Sequence, residues 1–118
     1  MKYESKITGI GDMASELLNE NGSLIIFNEN APEELAEISF LHTISQFKSQ
    51  IEVGDVLELG DFMYTITAIG EEAFHTLKEL GHCTFKFSGQ DIVKLPGEIE
   101  LSGDEMPRLK IGDRIVLR

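Results

Sequence analysis

Three histidines and a single cysteine are the side chains of this chain best suited to nucleophilic or soft-metal chemistry near neutral pH, and their settings differ. His42 lies in Glu37-Ile38-Ser39-Phe40-Leu41-His42-Thr43-Ile44, which reads as a strand whose alternation puts Ile38, Phe40, His42 and Ile44 on one face. An imidazole so placed is either a packed core residue with its ring nitrogens hydrogen-bonded or a reactive group on an apolar docking surface. In the second case a neutral ring offers an unprotonated nitrogen as nucleophile, since the free pKa of histidine is about 6.5. His75 falls opposite the Ala73/Phe74/Leu77/Leu80 stripe of a helix and reads as a solvated surface residue. His82 shares a strand face with Thr84 and Lys86, opposite Cys83 and Phe85, which makes it the better second polar member of a site.

Metal chemistry finds little support in the spacing. Zinc sites are built on close ligand pairs such as Cys-x-x-Cys or His-x-x-x-His, and the chain has neither; adjacent His82 and Cys83 would point to opposite faces of a strand. A phosphate-binding Gly-x-x-x-x-Gly-Lys-Ser/Thr loop and a Gly-x-Ser-x-Gly elbow are also missing. The expectation is therefore a protein that uses neither metal nor cofactor.

The elements that must position these groups are short. Lys2 to Ile10 reads as a first strand, Met13 to Asn19 as one or two helical turns, and Ser23 to Phe27 as a buried strand. Pro32-Glu33-Glu34 opens a short helix, as the helix dipole favours, and delivers the chain to the histidine strand. Gly60-Asp61 joins Val56 to Leu59 and Phe62 to Ile69 in a hairpin, with Phe62, Tyr64, Ile66 and Ala68 on one side. A helix follows over Ala73 to Leu80, with Gly81 as its stop. His82 to Phe87 and Glu98 to Ser102 return to strand. Val53-Gly54-Asp55 and Ile111-Gly112-Asp113 echo each other as turn chemistry, Gly supplying positive φ and Asp capping its own turn. Many short strands, Gly-bearing turns and two or three short helices predict an all-β fold: a small closed or partly open β-barrel, or a two-sheet sandwich.

Composition bounds the setting. At 118 residues the chain reads as one domain, residues 1–118, long enough to bury a core without disulfides. Twenty-one acidic against ten basic residues give a formal net charge of −11, which opposes binding to nucleic acid or to an anionic membrane and leaves two readings, a basic protein partner or a charge that only maintains solubility. The longest apolar run, Leu24-Ile25-Ile26-Phe27, is far too short to span a bilayer. A lone Cys83 fits a reducing compartment, and the expected location is cytoplasmic.

Two blocks, Ala68-Ile69-Gly70-Glu71-Glu72-Ala73-Phe74-His75-Thr76-Leu77-Lys78 and Glu79-Leu80-Gly81-His82-Cys83-Thr84-Phe85-Lys86-Phe87-Ser88-Gly89, taken with Phe40-Leu41-His42 upstream, carry a resemblance. Together they resemble the enzyme IIA component of the glucitol/sorbitol-specific, phosphoenolpyruvate-dependent sugar phosphotransferase system, from near Tyr3 to the C-terminus. The resemblance implies a barrel-like domain that takes a phosphoryl group from the histidine-containing phosphocarrier protein. The group would then pass to a cysteine of the IIB component, which works with the membrane-embedded IIC component during uptake. By motif match His42 would be the phosphoryl acceptor, and by analogy with IIA proteins that pair two histidines His82 would assist. An apolar surface from Phe40, Leu41 and Ile44 would exclude water from the phosphohistidine. The alternative from the residues alone is a non-catalytic acidic β-barrel binding module in which His42 is a structural core residue.

Overall fold

The computed structural model describes residues 1–118. Eight strands, β1 (Tyr3–Ile10), β2 (Ser23–Asn28), β3 (Phe40–His42), β4 (Val56–Leu59), β5 (Phe62–Ile69), β6 (Cys83–Lys86), β7 (Glu98–Ser102) and β8 (Arg114–Leu117), close into a barrel in the order β1-β3-β2-β6-β7-β5-β4-β8. Closure leaves no strand edge to be covered. Three short helices decorate it: α1 (Ala14–Asn21), α2 (Glu33–Ala36) and α3 (Ala73–Leu80). The all-β barrel expected from the strand tally is thus the closed form, with three helices.

Alternation fills the interior. Tyr3 and Ile7 of β1, Tyr64 and Ile66 of β5, and Leu57 and Leu59 of β4 point inward and are buried, while their neighbours along each strand face out or lie half-buried. The Gly60-Asp61 turn links β4 to β5 as its sequence predicts, with Gly60 at φ 59°.

The two halves of the chain repeat one another, a relation that sequence reading reduces to two similar turns. Ile7-Thr8-Gly9-Ile10-Gly11 aligns with Ile66-Thr67-Ala68-Ile69-Gly70, and at the same offset Ala14, Leu18 and Gly22 align with Ala73, Leu77 and Gly81. Structure follows: α1 and α3 each join a long strand to the next one and end on a left-handed glycine, Gly22 at φ 65° and Gly81 at φ 63°. β1 and β5 carry a register shift at the same place, between Ile7 and Gly9 and between Ile66 and Ala68. β2 pairs in parallel with β3 as β6 does with β7. The Gly-Asp turns also match, since Asp55 Oδ2 accepts from Glu52 N–H at 2.8 Å and Asp113 Oδ2 from Lys110 N–H at 2.9 Å. Exchanging β1–β4 for β5–β8 leaves the strand order around the barrel unchanged, so the fold has a pseudo-twofold relation.

The strand expected over residues 37–44 is shorter. Ile38 and Ser39 donate backbone hydrogen bonds to Leu35 and Ala36, and Ser39 Oγ donates to the Leu35 carbonyl, so these residues finish the exit from α2. Beyond His42 only Thr43 stays tied to β1, through its N–H to Lys6 O at 2.9 Å. The chain then leaves the sheet, and Ile44, expected on the His42 face, is 59% exposed.

Candidate functional site

β3 is short but central at this end of the barrel: His42 is in register with Ile7 of β1 on one side and Asn28 of β2 on the other. Its ring is completely buried, at 0% exposure, where sequence reading of a reactive imidazole expects a reachable edge. Each ring nitrogen meets a backbone carbonyl, Nε2 at 2.8 Å from Gly81 O and Nδ1 at 3.0 Å from Thr43 O. The Tyr3 hydroxyl lies 3.3 Å from Nδ1, and the Tyr3 ring stands edge-on to the imidazole.

Two acceptors on one imidazole pose a problem of proton count. Only the cationic ring could donate to both carbonyls. Burial, however, lowers the His42 pKa below 6.5; the Gly81 and Thr43 carbonyls and the nearby Glu29 charge oppose that shift without overcoming it. The ring is therefore held predominantly neutral at neutral pH, with one nitrogen bare in front of a carbonyl.

Gly81 reaches the ring because α3 ends on it. Its left-handed φ and the space around it both exclude a side chain: a Cβ would stand 1.9 Å from Asn28 Oδ1 and 2.8 Å from His42 Cε1. The carbonyl that faces His42 Nε2 is thus the C-cap of α3, at the negative end of that helix.

The Thr43 carbonyl at the other nitrogen opens a strap, residues 44–47, that leaves the sheet and crosses Tyr3. None of its four N–H groups donates to a protein acceptor, and none of its carbonyls accepts from a backbone N–H. The strap is held down instead by Phe47, which stacks on Tyr3 (centroids 4.2 Å apart, 16° between planes) and meets Phe74 of α3 edge-on at 5.2 Å. Lys48 N–H, bonded to Lys2 O at 2.9 Å, anchors its far end. A depression of about 440 Å³ outside the strap is lined by Tyr3, Glu4, Ile44, Ser45, Gln46 and Lys48, with Met1 at its rim. A cavity of similar size on the far side of Leu41 is edged by Asp12, Glu33 and Glu37, a lining unsuited to an anion.

The other expected residues separate. His82 follows Gly81 directly, with its Nδ1 3.0 Å from the Ile26 carbonyl and its ring 4.8 Å from that of Phe27; no hydrogen bond links the two imidazoles. His75 is exposed on α3 as expected. Cys83 is buried, and desolvation raises its thiol pKa well above the ordinary value, so it is not a thiolate nucleophile. No group of three His, Cys, Asp or Glu side chains is arranged to hold a metal ion. Sequence reading missed Gly81, Thr43, Tyr3 and Phe47. The first two act through backbone carbonyls, which carry no side-chain signature, and the aromatic pair meets only through tertiary packing.

The closed eight-stranded barrel has a counterpart of known structure, and the sequence has known relatives. Residues 2–116 match the family model described as PTS system glucitol/sorbitol-specific IIA component. The chain is 37% identical over 101 residues to the glucitol/sorbitol-specific EIIA components of Shigella flexneri and of Escherichia coli (strain K12), covering 86% of this chain and 81% of each relative. Its fold matches the crystal structure of the PTS system IIA component from Enterococcus faecalis V583 with a TM-score of 0.82 over 97% of this chain and 98% of that one, at 24% identity. The chain belongs to the glucitol/sorbitol-specific IIA family of the phosphotransferase system.

Proposed function

We propose that this protein relays a phosphoryl group during polyol uptake, accepting it on His42 from the histidine-containing phosphocarrier protein and passing it to the IIB component of the same transport system. Family membership supports the relay, and a feature of the ring itself supports His42 as its carrier. That feature is the mismatch at the imidazole: both nitrogens face carbonyl oxygens, at 2.8 and 3.0 Å, in surroundings that keep the ring neutral. One nitrogen therefore keeps a lone pair whose one donor in the protein is the Tyr3 hydroxyl at a long 3.3 Å, and a lone pair so weakly held is what a nucleophile needs. Because the ring is sealed, transfer requires the strap to lift when the donor protein docks. A loose, in-line phosphoryl transfer asks mainly for positioning and charge stabilisation, which backbone donors can supply.

His82 enters this reading as an assisting residue. Its Nε2 makes no hydrogen bond within the protein, and its place directly after Gly81, whose carbonyl meets the His42 ring, supports the role. Slower transfer with undiminished final labelling of His42 is the expected result for His82→Gln, and rates equal to wild type would discard the role.

Incubation with phosphoenolpyruvate, enzyme I and the phosphocarrier protein tests the main reading. The expected outcome is an acid-labile mass gain of one phosphoryl group on the intact chain, lost in His42→Gln. No gain, or a gain that persists in a folded His42→Gln protein, would leave an acidic barrel that binds without relaying.

A further inference from the structure

We infer that the phosphoryl group is carried on Nδ1 of His42, uncovered by lifting residues 44–47, with the Gly81 carbonyl holding the Nε2 proton and the Tyr3 hydroxyl selecting that tautomer. The inference rests on His42 being the acceptor and adds which nitrogen reacts and what orients it.

The two nitrogens are not equivalent. If Nε2 were bare, its lone pair would face Gly81 O at 2.8 Å with no donor nearby. If Nδ1 is bare, it faces Thr43 O at a longer 3.0 Å, and the Tyr3 hydroxyl at 3.3 Å can donate to it. The neutral ring is thus best satisfied as the Nε2–H tautomer, which makes Nδ1 the nucleophile.

Mobility points the same way. The Gly81 carbonyl belongs to a helix cap packed against Asn28, and Gly81 and His82 N–H bond back to Leu77 and Thr76 of α3. Thr43 O, by contrast, belongs to the peptide that opens the strap, and the next four residues make no backbone hydrogen bond. Rotating that peptide removes the carbonyl from Nδ1 and breaks no backbone pair. The four N–H groups of Ile44, Ser45, Gln46 and Phe47 are then available, with the Tyr3 hydroxyl, to receive phosphoryl oxygens.

The step balances without another reactant. The Nδ1 lone pair forms the new P–N bond while the donor's P–N bond breaks and returns its electron pair to the donor imidazole. The proton on Nε2 stays in place. His42 then carries positive charge on its ring beside the phosphoryl dianion, and the C-terminal end of α3 stabilises that charge.

Long-range ¹H–¹⁵N correlation spectra of protein carrying ¹⁵N-histidine, recorded before and after phosphorylation through the phosphocarrier protein, test this. Before phosphorylation the expected His42 pattern is the Nε2–H tautomer; a dominant Nδ1–H form overturns the inference. Afterwards the phosphorylated nitrogen should be Nδ1. Phosphate on Nε2 overturns the inference and leaves His42 as the carrier, whereas no phosphate on His42 overturns the relay itself. Tyr3→Phe retains the ring that Phe47 stacks on, and the His42 tautomer should shift towards Nδ1–H. An unchanged tautomer in that variant removes Tyr3 as a positioning residue.

Discussion

Replacing Gly81 with alanine puts a methyl group where Asn28 and His42 already stand and forces a side chain into left-handed backbone, so it tests the site at its tightest point. The backbone strain alone costs about 1–3 kcal/mol. For a chain of this size that corresponds to a fall in Tm of roughly 4–12 °C, measurable by thermal unfolding. His42 itself should make stability pH-dependent. Its folded pKa lies below 6.5, so between the two values the unfolded chain binds a proton that the native chain does not, and stability falls as pH drops below 6.5. The loss levels off once the native ring also protonates. Denaturant unfolding of wild type and His42→Gln across this range should show a steeper decline in the wild type. At this scale the sequence offered the identity of the histidine and its inward phase on β3 but not its surroundings. Gly81 was legible as a helix stop because left-handed caps favour glycine, yet the use of its carbonyl depends on β2 and β3 bringing His42 beneath it.

Among the elements, the strap is the one whose stability is separable from the barrel. It has no backbone hydrogen bonds of its own, and Phe47 is its main apolar attachment. Phe47→Ala should therefore leave the barrel folded while lowering the cost of exposing His42 by about 1–2 kcal/mol, a factor of roughly 5–30 in the open population. Modification of histidines by diethyl pyrocarbonate, read by mass spectrometry, checks this. In the wild type exposed His75 should react first and His42 resist, and in Phe47→Ala the His42 rate should rise by that factor; an unchanged rate would mean that the strap is not the barrier. Strong local signals made the β4–β5 hairpin, α3 and β7 readable in advance. Ile38 and Ile44 continue the alternation of the histidine strand and make it read longer than it is: hydrogen bonds to α2 claim the first, and departure of the chain from the sheet exposes the second. Leu80 likewise continues the apolar stripe of α3 but is 45% exposed, since the helix packs through Ala73 and Leu77.

Over the whole molecule, the charge of −11 bears on encounter rates more than on the fold. Transfer from a basic-surfaced donor should slow as ionic strength rises from about 0.01 M to 1 M, since the Debye length falls from about 30 to 3 Å. Stopped-flow transfer rates across that range would check it, a flat profile indicating that apolar contacts alone guide docking. The barrel class was legible from the tally of short strands and glycine turns; the duplication was not, because its matching residues are mostly small or aliphatic and spaced too irregularly to form a period. The paired halves have a consequence for how the chain may be cut. Tyr3 pairs with Leu117 as Phe62 pairs with Leu59, so the meeting of the two termini occupies the place that the Gly60-Asp61 turn fills in the other half. A circular permutant that joins the ends through a Gly-Asp linker and opens between residues 60 and 61 would run β5 to β8 before β1 to β4 and rebuild the same barrel, with His42 in the half synthesised last.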